Sequence, residues 1–289
     1  MEVHPIGGHF VAEVRGLDLK RPLSPGEVGA LKAAWERYLI LVFRGLDLTP
    51  AEHKRFGAYF GELWPHPASP AVLAEHPEIY VLANAIDGNP DFRPQQADFW
   101  HTDITYMPRP SRAGILYARM VPETGGDTSF ADMRRAWATL PPKMQQRLLP
   151  LTGVHGLEGF PERYRKMAGK AAPVLGDNAP ERRLTALQTH PAVIRDPDTG
   201  EPALFTNPGF TIRFEGMGEE ESQALVDELC RHATAPGNTY RHKWRVGDMV
   251  MWDNFNTMHM AMGGYQLPMR RVMHRLTVGG PELAPALAG

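Results

Sequence analysis

Phe99-Trp100-His101-Thr102-Asp103-Ile104-Thr105-Tyr106 is the stretch on which the reading of this chain turns. In an extended segment, side chains two apart point to the same face. His101 and Asp103 can then offer one nitrogen and one carboxylate oxygen to a single metal ion from one strand end. Two protein ligands rarely hold a catalytic metal, so a third is needed, and His259 supplies it 158 residues further on, just after Trp252-Asp253-Asn254. Two histidines and one carboxylate on one face of an ion leave open positions and favour iron(II), although manganese, cobalt and zinc can bind the same set. An H-x-D triplet alone occurs by chance in many proteins. His76-Pro77-Glu78 has the same spacing, and Pro77 there favours a surface turn.

Working outward, the run Arg271-Val272-Met273-His274-Arg275-Leu276-Thr277-Val278 alternates as a strand, with Arg271, Met273, Arg275 and Thr277 on one face. Two arginines on the face that carries a metal site need two anions, because unpaired buried charge is costly. Guanidinium suits bidentate carboxylate or sulfonate recognition. One anion could be the distal carboxylate of 2-oxoglutarate and the other could belong to the substrate. The competing assignment pairs both arginines with acidic side chains or puts them on the surface.

Ser24-Pro25-Gly26-Glu27 and Thr49-Pro50-Ala51-Glu52 each offer a capping side chain, Pro at the first helical position and Glu at the third, so two helices are predicted there. A third is predicted from about Glu219 to His232. Leu39 to Phe43 reads as a buried strand, and Ile79–Leu82, Gly114–Tyr117, Met249–Trp252 and Arg271–Val278 read as further strands. Asp196-Pro197-Asp198-Thr199-Gly200 is a turn. Many short strands with a few peripheral helices predict a β-sandwich or jelly roll with helical additions. Segment 161–185 is polar and aperiodic, and a lid insertion over about 158–186 is expected within one domain spanning 1–289.

With 43% hydrophobic residues, 22% charged residues and a formal net charge of -2, the chain has no field for nucleic acid or an anionic membrane, so a small-molecule site is the better expectation. The start lacks a secretory pattern and no apolar run could span a bilayer, which predicts a cytoplasmic protein. The single cysteine, Cys230, excludes an internal disulfide framework and any multi-cysteine metal site; it reads as a buried apolar residue of a helix.

The blocks FWHTDITYMPRP, GGDTSF at Gly125 to Phe130, WDNFNTMH and RRVMHR resemble successive blocks of the taurine dioxygenase (TauD/TfdA) family. GGHFVAEVRGLDL near the start and FGELWPHP at Phe60 to Pro67 are similar to that family's N-terminal blocks. The resemblance covers nearly the whole chain in family order. It implies an α+β protein with a double-stranded β-helix (jelly roll) core and peripheral helices, assembling as a dimer or tetramer. It also implies iron(II) held by His101, Asp103 and His259, with 2-oxoglutarate and dioxygen as cosubstrates. Thr128 and Arg271 match the residues that hold 2-oxoglutarate; Arg270 is the alternative, because the interval after His259 is one residue longer here. Arg275 and His66 match residues that bind the substrate anion, and Ile104, Phe160 and Phe210 match pocket positions. Trp252 and Asn254 are expected to be core residues beneath the metal strand.

Two pocket positions depart from the family: Ser69 stands in place of a tyrosine and Ala97 in place of an asparagine. The expected substrate is therefore a longer or bulkier anion than taurine, an alkyl sulfonate, sulfate ester or carboxylate. The implied reaction is hydroxylation with release of succinate and carbon dioxide. Hydroxylation beside a sulfonate or sulfate ester would expel sulfite or sulfate. Two other classes compete: a zinc-dependent hydrolase, active without 2-oxoglutarate, and a non-catalytic jelly-roll binding protein, indifferent to metal.

Overall fold

The computed structural model describes residues 1–65, 71–85, 97–158 and 186–286. His66, Ser69 and Phe160, and all but the ends of the expected 158–186 insertion, lie outside the described residues.

Both predicted helix starts form as capping boxes. Ser24 accepts from the Glu27 N–H and opens the helix Pro25–Tyr38, and Thr49 accepts from Glu52 and opens Pro50–Ala58. Each glutamate returns a carboxylate oxygen to the cap backbone, so two otherwise orphaned donors are satisfied at each end. The third helix runs Glu219–Ala233, with three glutamates in its first turn and Arg231 and His232 in its last, complementing the helix dipole. Cys230 is half-buried on it, and burial pushes its thiol up to about 12.

Among the described residues the strands form one large sheet and three small ones. The large sheet runs, in spatial order, Glu2–Pro5, Val11–Arg15, Ile40–Phe43, Met249–Asp253, Ala113–Met120, Val272–Val278, His76–Ala83 and Val72–Leu73, with Leu63–Trp64 added beside Val272–Val278. Its pairs are antiparallel except Val11–Arg15 with Ile40–Phe43. A three-stranded sheet, Thr239–His242, Thr128–Asp132 and Thr257–Ala261, carries His259. The architecture is strand-rich mixed α and β.

Alternation along the central strands decides which layer each side chain joins. Leu41, Phe43, Ile115, Tyr117, Met249, Met251, Leu276 and Val278 pack against Leu31, Trp35 and Phe56 of the two N-terminal helices. The opposite face, with Val42, Leu116, Ala118, Val250, Trp252 and Met273, packs against Phe130 and Trp244 of the small sheet side. Gly114 is required at the closest approach: a Cβ there would lie 2.1 Å from the Trp252 ring. Met273 and Arg275 therefore share the inward face, as the alternation predicts.

One expectation needs correction. His76-Pro77-Glu78 is not a surface turn but the start of the strand His76–Ala83. Proline is tolerated at a strand's beginning, where its missing N–H breaks no ladder bond. Glu78 pairs with Lys54 at 2.7 Å.

Candidate metal centre

His259 sits on the strand Thr257–Ala261, and His101 adds to the free edge of that strand as an isolated antiparallel bridge. The His101 N–H donates to the His259 carbonyl at 3.0 Å and the reverse bond is 2.8 Å, so the two histidine backbones are locked together. The chain does not continue as a strand after His101. Residues 103–106 form a turn, and Ile104 takes φ 46°, so the expected extended His-x-Asp segment is corrected to a bridge followed by a turn. A β-branched residue in the left-handed region is an outlier, costing about 1 to 3 kcal/mol, and such strain gathers at functional sites.

The turn still brings the three side chains together. One ligand atom from each of His101, Asp103 and His259 lies within 4.8 Å of the other two, and all three residues are buried. His101 Nε2 lies 3.6 Å from one Asp103 oxygen and His259 Nε2 lies 3.6 Å from the other. Those gaps exceed a normal hydrogen bond. His101 Nδ1–H donates to the Phe99 carbonyl at 2.9 Å, which leaves the Nε2 lone pair facing the carboxylate. Burial pushes the His259 imidazole well below its usual range, so it is neutral and able to ligate. Burial works against ionisation of Asp103, but Arg275, His259 and His101 outweigh it and hold the carboxyl well below its ordinary range. A neutral imidazole and a carboxylate with their free lone pairs converging are the donor set an iron(II) ion needs.

The two arginines of the last strand have different surroundings. Arg275 contacts the Asp103 carboxylate directly and donates to the Tyr80 hydroxyl at 3.2 Å. Its guanidinium lies 5.0 Å from the Trp252 ring. Arg271 donates from Nε to the Gly126 carbonyl at 3.1 Å, and no carboxylate among the described residues pairs with it. Burial pushes it below the usual arginine range. Gly126 takes φ +73°, and its Cβ would meet the Arg271 side chain at 3.1 Å. Arg271 lines a small open pocket with Asp98, Gly126, Ala261, Gly263 and Tyr265. Thr128 opens the strand Thr128–Asp132, and its hydroxyl accepts from Trp244 Nε1 at 3.0 Å. Indole N–H only donates, so the Thr128 O–H remains available to an anion. Arg270 points elsewhere and donates to the Ala85 carbonyl at 3.1 Å.

Ile104 and Phe210 join Phe99 and Tyr106 in a buried apolar cluster, with Ala97, Trp64, Met107 and Leu157 against it. Sequence reasoning missed Tyr80, Trp244 and Tyr265. None lies in a motif with the spacing of a site, and only the pairing of distant strands brings them close.

A strand-rich fold with two histidines and a carboxylate converging at one buried point carries the donor set of the non-haem iron(II) oxygenases. The model of the taurine catabolism dioxygenase TauD, TfdA family matches residues 2–277, and the chain belongs to that family. Over its full length it is 32% identical to the whole of the pentalenolactone F synthase of Streptomyces arenae. It is also 32% identical to the alpha-ketoglutarate-dependent sulfate ester dioxygenase of Pseudomonas putida, covering 97% of this chain and 90% of that one. A crystal structure of AAD-2 in complex with Mn(II) and N-oxalylglycine superposes with a TM-score of 0.81 at 28% identity, covering 99% of this chain and all of the other. No helix among the described residues is long and apolar enough to cross a membrane.

Proposed function

We propose that the protein is an iron(II)- and 2-oxoglutarate-dependent dioxygenase that hydroxylates a small organic anion, built on a double-stranded β-helix. The observation that carries this is the convergence of His101, Asp103 and His259, in a chain whose buried Arg271 pairs with no carboxylate among the described residues. The large sheet facing the small sheet that bears His259 supports the β-helix reading.

His101, Asp103 and His259 would hold the iron, and Arg271 with Thr128 would take the far carboxylate of 2-oxoglutarate. When bound, iron and 2-oxoglutarate supply the power to oxidise a substrate C–H bond with dioxygen, giving succinate and carbon dioxide. The protein's own part is placement, charge complementarity and exclusion of water. Arg271 supplies the charge that the cosubstrate must meet. Arg275, held between Asp103, Tyr80 and Trp252, orients the carboxylate ligand and presents a cation toward a substrate anion. Phe99, Ile104, Tyr106 and Phe210 offer the apolar wall for the rest of the substrate. Ala97 on that wall favours a larger group than taurine carries. A sulfate ester, alkyl sulfonate or aryloxy carboxylate fits this chemistry, and sulfate ester oxidation by a relative supports the first.

The test is substrate-stimulated succinate formation coupled to oxygen uptake across sulfate esters, sulfonates and aryloxy carboxylates. His259→Ala should abolish turnover and iron binding while leaving the far-ultraviolet circular dichroism unchanged, since it removes one of three protein ligands. Normal iron affinity and full activity in that variant would overturn the metal assignment. Hydrolytic turnover without 2-oxoglutarate would point to the zinc hydrolase instead.

A further inference from the structure

The two histidines of the metal centre are held by a strand and a bridge, but Asp103 has neither. It opens a turn whose next residue, Ile104, is in the left-handed region at φ 46°. A β-branched side chain resists that conformation, so the turn would relax toward an extended path unless something restrained it. Relaxation would swing the Asp103 carboxylate away from His101 and His259.

Asn254 is placed to prevent this. Its Oδ1 accepts from the Asp103 N–H at 2.9 Å, and its Nδ2 donates to the Asp103 carbonyl at 3.2 Å. One side-chain amide thus grips the backbone on both sides of the ligand's Cα. Only Asn and Gln carry both an acceptor and a donor pair, and Asn is the shorter of the two. The other Nδ2 hydrogen is shared between two acceptors of Ser111, its carbonyl at 2.9 Å and its hydroxyl oxygen at 3.0 Å. The Asn254 N–H donates to the Arg112 carbonyl at 3.0 Å, so the clamp is itself anchored from both ends. Asn254 is fully buried, and each of these bonds is shielded from water.

We propose that Asn254 is a positioning residue for metal binding: it clamps the Asp103 peptide against the strain at Ile104 and so aims the carboxylate at the ion. It contacts the ligand's backbone, not the ligand atoms. The inference rests on the metal assignment proposed above, and the experiment separates the two. Metal-free protein is titrated with Mn(II), with free ion followed by electron paramagnetic resonance, while circular dichroism and melting temperature monitor the fold. A wild-type chain that binds no Mn(II) would sink the metal assignment itself.

With wild-type binding established, Asn254→Ala should lower Mn(II) affinity at least tenfold in protein that is still folded. Adding Ile104→Gly should recover several-fold of that loss, because glycine adopts the left-handed conformation without steric cost. A purely structural role would lower the melting temperature without moving the affinity, and the glycine would rescue nothing. Wild-type affinity in folded Asn254→Ala, or no recovery on adding Ile104→Gly, overturns the proposal. Should the alanine variant fail to fold, Asn254→Ser carries the same measurement, and collapse of that variant too would assign Asn254 to the core alone.

Discussion

Arg112 and Arg271 are equally inaccessible, at 6% and 8% exposure, yet the chain treats them in opposite ways. Arg112 contacts Asp253 and donates to Asp196 at 3.3 Å and to Asp198 at 2.8 Å. Its guanidinium also lies 4.5 Å from the Trp35 ring. Burial works against its charge, but the carboxylates outweigh it and raise its pKa. Arg271 donates to the Gly126 carbonyl and meets the Tyr265 side chain, no carboxylate among the described residues pairs with it, and burial pushes its pKa down. The difference separates architecture from function. A buried cation neutralised by its own chain ties segments together, whereas one short of counter-charge among the described residues, beside an open pocket, is a candidate site for an anion from outside.

The comparison breaks most visibly if Arg112 proves dispensable. Arg112→Met strands Asp253 and Asp196 in the interior, and removing one member of a buried ion network costs about 3 to 5 kcal/mol. Denaturant unfolding of the purified variant should show that loss. A change below about 1 kcal/mol would mean the network is not what holds the two aspartate-bearing segments together.

Arg271→Gln should behave in the reverse sense. Stability should stay level or rise, because an uncompensated buried charge is gone, while 2-oxoglutarate binding weakens by about 2 to 5 kcal/mol. Calorimetric titration of the Mn(II)-loaded protein reads this directly. Arg270→Gln should leave the affinity close to wild type, since Arg270 faces the Ala85 carbonyl. Equal effects at the two positions, or a larger one at Arg270, would return the cosubstrate arginine to the alternative position.

Which parts of this were legible in the sequence follows from how local the signals are. The capping boxes at Ser24 and Thr49 name their helices, because capping is decided within four residues. The alternation of Arg271 to Val278 places Met273 and Arg275 inward, since period two is a property of the strand itself. The turn at Asp103 was not legible, because Ile104 adopts a conformation that its side chain disfavours and the contacts that hold the turn, Asn254 on Asp103 and His190 on the Thr105 carbonyl, come from distant segments. Nor did spacing reveal that Arg275 would face Asp103 itself, a contact made between segments 172 residues apart. Asn254 reads as core from its motif; its two-sided grip on the Asp103 backbone is what points to a second role.

Substrate choice sharpens the comparison at the apolar cluster packed against His101. Ile104 and Phe210 lie in an apolar cluster with Ala97 against it, so this wall offers contact area rather than hydrogen bonds. Each methylene-sized contact is worth about 1 to 3 kcal/mol, and a small ligand with a free amine leaves that amine's desolvation uncompensated. A medium-chain alkyl sulfate or an aryloxy carboxylate should therefore stimulate succinate formation at lower concentration than taurine. A clear preference for taurine would sink the argument from Ala97 while leaving the dioxygenase class intact.

His53 marks the limit of the comparison. It is buried on the helix Pro50–Ala58, and neither ring nitrogen has a hydrogen-bond partner among the described residues, yet it lines no pocket described above. A lack of partners therefore marks a site only where a ligand can reach it. Burial, with His274 and Arg119 nearby, holds the His53 imidazole down at about 3. The folded value lies below the ordinary 6.5, so the unfolded chain takes up the proton first and stability falls as pH drops below that value. At pH 5.5 this one group should account for roughly 1.4 kcal/mol of lost stability relative to neutral pH. His53→Leu removes the titration and keeps an apolar side chain of similar size in the same packing. Chemical unfolding of both proteins at pH 7.5 and 5.5 reads the effect, and the variant should lose less stability between those values than the wild type. His155, His190, His242, His259 and His274 also have lowered values and will keep part of the slope in both proteins. Identical slopes would mean that His53 gains its proton in the folded state as readily as in the unfolded one, through water reaching the ring beneath the helix.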